Sequence, residues 1–158
     1  MVVTEVRRRR GAILAAARGR VLDLDTPGAL TLVEAAAGGD AVADDERYET
    51  IICTCRLISV PDLVRATTGV ARLLAADGDL RLIEPVNHPG SIGLVTSSAG
   101  ALLPGLSGLH LARDVPAAVR ASGLTMVDLE RFTIPTLVWP LRRFIEGRAC
   151  FVTAAVGA

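Results

Sequence analysis

The sequence predicts a single α/β domain centred on two parallel strands, and three segments carry that expectation. "TIICTCRLI" (50–58) is almost wholly β-branched or apolar, the pattern of a strand covered on both faces. "LRLIEPV" (80–86) reads as a second strand. Between them, Leu63, Val64, Val70, Leu73 and Leu74 form an apolar stripe at helical spacing, with Pro61 suited to the first turn and Gly78 to the end. Residues 50–86 are therefore a βαβ unit, whose crossover is right-handed and whose strands are parallel.

The remaining elements follow in chain order. Residues 6–17 are Ala-rich and stop before Gly19, a natural residue just past a helix end. "RVLDL" (20–24) reads as a strand. The next stretch has two readings. Residues 29–37 form a short helix closed by Gly38, or Thr26, Pro27, Gly28 and Ala29 make a type II turn that pairs "RVLDL" with "ALTLV" as a hairpin. Asp114 can cap a helix over 115–122, with Gly123 at its end. "TMVDLERF" (125–132) alternates like a half-exposed strand, "LRRFIEG" (141–147) reads as a short helical turn, and "RACFVTAAV" (148–156) as the last strand. Pro135 and Pro140 flank a loop between them.

Composition excludes several functions. The chain has 158 residues, 51% hydrophobic, with zero formal net charge. One domain with a substantial core is expected, and overall charge makes no case for nucleic-acid binding. Every one of the 17 basic residues is Arg, a codon signature of a GC-rich, bacterial genome. "RRRR" (7–10) reads as a solvated first helical turn, and no hydrophobic signal segment follows it. The uncharged run between Glu84 and Arg113 holds Asn87, His88 and several Pro, Gly and Ser, so it makes a poor membrane span, and the protein is expected to be cytoplasmic. Cys53, Cys55 and Cys150 form no CxxC pair; Cys53 and Cys55 are expected on one face of a central strand as structural thiols, with no metal site.

The order of these segments is similar to the class I S-adenosylmethionine-dependent methyltransferases, nearest their small-molecule branch of ubiquinone-biosynthesis and thiol methyltransferase-like proteins. "YETIICTCRLISVPDLVRATTGVARLLAADGDLRLIEPV" (48–86) resembles that branch's fourth strand, "SVPD" turn, helix and fifth strand ending at an acid. "GLHLARDVPAAVRASGLTMVDLERF" (108–132) resembles its later helix and sixth strand, and "RRRRGAILAAARGRVLDLD" its leading helix and first strand. The resemblance implies a doubly wound sheet with S-adenosylmethionine at the carboxyl ends of the strands, as open α/β sheets bind their ligands. It also implies cofactor contacts in the turn after the first strand, at Asp23 and Gly28, and at Asp40 in "GGDA" (38–41), where a Gly-Asp pair is equally an ordinary turn. His110 stands where the branch often carries a His before its next helix, which makes it the candidate substrate residue; a lone loop His also reads as structural.

The chain departs from the family pattern twice. After the first strand the family has a glycine-rich turn, where side chains would strike the cofactor. Here Asp25 and Pro27 replace glycines, adding a carboxylate and removing an N–H donor. Only residues 25–49 separate the first strand from the next, too few for the family's second and third strands with their helices, since one βαβ unit takes about 30 residues. The ribose-binding acid has only Glu34 and the acids near Asp44 as candidates. The expected fold is thus a truncated Rossmann-like methyltransferase sheet of about five strands, the central ones parallel and the C-terminal pair partly antiparallel.

The expected function is a methyltransferase-like binding or partner module with an impaired S-adenosylmethionine site. The alternative is an active enzyme for a small apolar thiol, quinone or lipid, completed by a second subunit. Trimming should expose the edge at "RVLDL", so a homodimer or heteromeric partner is expected through residues 20–37, with an apolar small molecule as a further ligand. Glu84, ending a strand at the ligand-facing edge, has a catalytic reading and a commoner one, a strand-end carboxylate capping a nearby N–H. Trp139 and Phe144 read as core or partner contacts.

Overall fold

The computed structural model describes residues 2–39, 41–86, 110, 113–135, 137 and 142–152. The elements are α1 (Val2–Ala15), β1 (Val21–Asp23), α2 (Ala29–Ala37), β2 (Tyr48–Thr54), α3 (Leu63–Leu73), β3 (Leu74–Pro85), α4 (Val115–Ala121), β4 (Thr125–Thr133) and β5 (Arg143–Cys150). They build a five-stranded sheet in the order β1-β2-β3-β5-β4. β1, β2 and β3 run parallel, while β5 is antiparallel to both β3 and β4. This is the mixed α/β sheet expected from the sequence.

The sheet separates two apolar layers. Ile51, Cys53, Leu80, Leu82, Ile145 and Ala149 point to the side of α2, α3 and α4. Ile52, Ile83 and Phe144 point the other way, where Ile13 of α1 covers them. Successive residues of β2 are fully buried because each face has its own cover, which explains the continuous apolar run. Phe144 stacks on Phe132 with ring centroids 5.4 Å apart, in the core position expected for it.

Residues 29–37 are helical. Gly28 sits at φ 85°, ψ −13°, and the Ala29 N–H reaches the Thr26 carbonyl at 3.1 Å. The type II turn is therefore real, but it feeds a helix and no hairpin forms. α2 leads through a single 3-10 turn (Asp44–Glu46) directly to β2, so β1 is an edge of the sheet. Asp62 and Asp114 cap α3 and α4, each accepting a backbone N–H at 2.9 Å.

Five local expectations need correction. Pro61 lies before α3, because Asp62 takes the capping position and Leu63 begins the helix. Gly78 does not end that helix: Leu74, fully buried, already pairs with Tyr48, and residues 75–78 bulge before Asp79 pairs with Thr50. A Cβ on Gly78 would lie 2.9 Å from the Tyr48 carbonyl oxygen, so the bulge needs the glycine for space. "LRRFIEG" is largely strand, since Phe144 and Ile145 fill opposite faces of the sheet, and β5 ends at Cys150. Cys55 lies past the end of β2 at φ 54°; that backbone turn breaks the alternation, so Cys53 joins one core layer and Cys55 the other. Finally, "RRRR" is not just a solvated turn. Arg9 bonds Glu5, Glu130 and Glu146 and lies over the Phe132 ring, while Arg10 pairs with Asp23 and Asp25. Trp139 and His88 lie outside the described residues.

α2 crosses α3 at one point of very close approach. A Cβ on Gly69 would lie 2.9 Å from the Val33 carbonyl carbon and closer still to its oxygen. Gly69→Ala should therefore push α2 off the sheet and destabilise the fold by about 1–3 kcal/mol, the usual cost of overpacking. Urea unfolding read by far-UV dichroism will show it as a lower midpoint.

Candidate functional site

The carboxyl ends of β1, β2 and β3 bring together two loops and one buried acid. In the loop after β1 the backbone donors turn inward. Leu24 N–H bonds the Ile52 carbonyl at 2.9 Å, Asp25 N–H bonds Asp23 Oδ1 at 3.0 Å, and Thr26 N–H bonds the Asp23 carbonyl at 2.9 Å. Ala29 N–H closes the turn and Pro27 has no N–H, so Gly28 carries the one donor of this loop without an internal partner among the described residues. Gly28 has open space where a Cβ would stand, and the turn requires it for its positive φ.

Charges close the same loop. Asp25 Oδ1 accepts from Arg56 Nε at 2.7 Å, and Arg10 Nε lies 3.3 Å from Asp25 Oδ2. Arg10 Nη2 also pairs with Asp23. The Asp25 carboxylate is thus paired within the protein.

Glu84 organises the loop after β2. Its side chain is fully buried, and Oε1 accepts the Arg56 N–H at 2.9 Å, the Leu57 N–H at 3.0 Å and the Cys53 thiol at 3.1 Å. The carboxylate therefore caps nearby N–H groups, as read from the sequence. Oε2 is buried without a partner among the described residues. Burial raises the Glu84 carboxyl to about 7, against the pull of its N–H and thiol donors. Burial, with Glu84 alongside, pushes the Cys53 thiol well up, and burial pushes the Cys55 thiol to about 12. Neither thiol is a nucleophile at neutral pH. On the far side of this loop, Arg113 donates to the carbonyls of Leu57, Val60 and Pro61. His110 donates its backbone N–H to the Ile58 carbonyl at 2.7 Å and leaves its side chain exposed.

The sequence-derived residues are therefore only partly gathered. Asp23 ends β1 and Gly28 lies in the loop that follows it, His110 reaches the loop after β2, and Asp40 lies outside the described residues. Glu34 stands exposed on α2, and the acids at Asp44 precede β2, at the opposite end of the sheet, so neither supplies an acid at the carboxyl edge. Sequence reasoning missed Arg10, Arg56 and Arg113. The signal that could have found Arg56 is an arginine directly after a buried strand, facing a loop with two aspartates.

No family model and no curated protein matches the chain. Its fold does recur among solved structures. A candidate methyltransferase from Bacillus halodurans matches with a TM-score of 0.58 at 13% identity, over 93% of this chain and 95% of that one. An arsenic(III) S-adenosylmethionine methyltransferase from Chlamydomonas reinhardtii matches with a TM-score of 0.52 at 16% identity, over 78% of this chain and 43% of that one. The chain thus spans less than half of the arsenic enzyme's length. At these identities the likeness is one of fold: the chain has a Rossmann-like methyltransferase fold.

The Glu84 carboxyl holds its proton to higher pH in the folded state (about 7) than in the unfolded chain (4.5). Its contribution to stability is therefore complete below about pH 4.5 and is lost as pH rises through about 7, by about 3 kcal/mol in all. Glu84→Gln should remove that slope while keeping an acceptor for the Arg56 and Leu57 N–H groups. Denaturant unfolding at a series of pH values will compare the two proteins.

Proposed function

We propose that this chain is a methyltransferase-fold protein that acts as a binding or partner module, with an impaired S-adenosylmethionine site. S-adenosylmethionine is the cofactor by resemblance. The single observation that supports impairment is the donor count in the loop after β1: all but one of its backbone donors are spent inside the protein, and its carboxylate is tied down by two arginines. Residues so occupied do not fit the cofactor. The branch likeness, to ubiquinone-biosynthesis and thiol methyltransferase-like proteins, remains part of this proposal.

A second reading, an active enzyme for a small apolar acceptor completed by another subunit, draws on the open side of β1. Val21 and Leu32 are 40% and 39% exposed there. Beside them a cavity of about 270 Å³ is lined by Leu32, Ala35, Ala36, Val42 and Tyr48. This edge is also the surface we assign to a homodimer or heteromeric partner, through residues 20–37. Among the described residues no helix is long and apolar enough to cross a membrane.

Calorimetric titration separates the two readings. The module should show no binding of S-adenosylmethionine or S-adenosylhomocysteine at micromolar concentration, because several hydrogen bonds worth about 1 kcal/mol each are missing. Micromolar binding by the chain alone would overturn it. Light scattering over a concentration series should show association, weakened by Leu32→Glu; a monomer at every concentration would remove self-association through this edge.

A further inference from the structure

Two guanidiniums from distant parts of the chain converge on one side chain. Arg56 Nε, from the loop after β2, is 2.7 Å from Asp25 Oδ1, and Arg10 Nε, from α1, is 3.3 Å from Oδ2. The Asp25 backbone is held by its own N–H, bonded to Asp23 Oδ1 at 3.0 Å. All four charged groups remain 19–41% exposed at the carboxyl edge of the parallel strands, where open α/β sheets take their ligands. Paired arginines at such a place are suited to an oxyanion, because each planar guanidinium presents a fork of donors to it. Here the oxyanion belongs to the loop itself. The match is also incomplete: Arg10 Nε is buried, and its contact with Asp25 is too poorly aligned to be a hydrogen bond, so one donor is left unfilled among the described residues.

We propose that Asp25 is an internal ligand, whose carboxylate occupies a two-arginine anion site and keeps the crevice after β1 closed to small carboxylates. The inference rests on the reading of the S-adenosylmethionine site as impaired. Asp23 and Asp25 cancel Arg10 and Arg56, so the site as it stands offers no net charge to an incoming anion. An intramolecular carboxylate also has an effective concentration of at least about millimolar, against which a free carboxylate must compete. Removing the Asp25 charge leaves one net positive charge and a free donor fork on Arg56.

The test is an acetate titration at pH 6, followed through the arginine side-chain N–H signals by NMR. The wild type should show no saturable change. Asp25→Asn and Asp25→Ser should show saturable shifts at Arg10 and Arg56, with acetate held at least about tenfold more tightly than by the wild type. Adding Arg56→Gln to either variant should abolish the gain. If both Asp25 variants are folded and respond like the wild type, the proposal is overturned. A third measurement does not depend on those variants folding: Arg56→Gln alone should speed hydrogen exchange at the Asp25 and Thr26 amides, and unchanged exchange there would equally overturn it. Micromolar binding of S-adenosylmethionine by the wild type would instead refute the module reading, so the two failures are distinct.

Discussion

One buried oxygen, Oε1 of Glu84, holds the loop on which the carboxyl edge depends. A parallel strand that ends inside the protein must turn while its N–H groups are still shut away from water. β2 does this at Cys55, in a positive-φ conformation that side chains seldom adopt. The next two N–H groups would then be orphaned, at a cost of about 1–3 kcal/mol each. Glu84 answers both from the neighbouring strand and takes the Cys53 thiol as well. Satisfying the loop requires burying a carboxyl, and that burial is what brings its titration close to neutrality. Once the loop is placed, the Arg56 side chain stands within reach of Asp25, and the carbonyls of Leu57, Val60 and Pro61 face Arg113.

Neighbouring arginines of α1 serve different ends of the molecule. Arg9 reaches to Glu130 and Glu146 on the antiparallel strands and covers Phe132, whereas Arg10 reaches to the loop after β1. The apolar layer under this helix is small, with Ile13 as its one buried residue from α1 among the described residues. The helix is thus positioned by charge across both halves of the sheet as well as by packing. Exposed pairs of this kind contribute little to stability one at a time, but they fix where the helix lies. That placement also delivers Arg10 to the crevice.

The absence of strands between β1 and β2 does not cut the sheet, because β1 pairs directly with β2 in parallel register from Val21 and Thr50 onward. What changes is the edge. Among the described residues β1 has one unpaired side, along a length of three residues, and α2 packs close to α3 through Gly69. A solved structure matches the chain almost end to end, so a compact sheet of this extent is not peculiar to this sequence. Most backbone donors of the loop after β1 bond within the protein, and such a loop is a property of the site and not of the fold that carries it.

The sequence by itself determined the α/β class, the parallel βαβ centre, the cap at Asp114, and that residues 25–49 are too few for a further βαβ unit with its strands and helices. These follow from local patterns: apolar runs covered on both faces, helical stripes, turn residues and chain length. It left residues 29–37 open between helix and hairpin, since a type II turn can precede either, and it misplaced the start of β5 and the end of α3. Tertiary structure decided those. Leu74 leaves its helix because it fills the core beside Tyr48, and Phe144 and Ile145 are strand because the two sheet faces each claim one of them. Asp23 and Gly28 were legible as a loop after a strand. The arginines that close that loop come from α1 and from beyond β2, and no local spacing records a meeting between residues 10, 25 and 56. Long-range electrostatic contacts are set by how the chain packs, and only the assembled sheet brings those charges together.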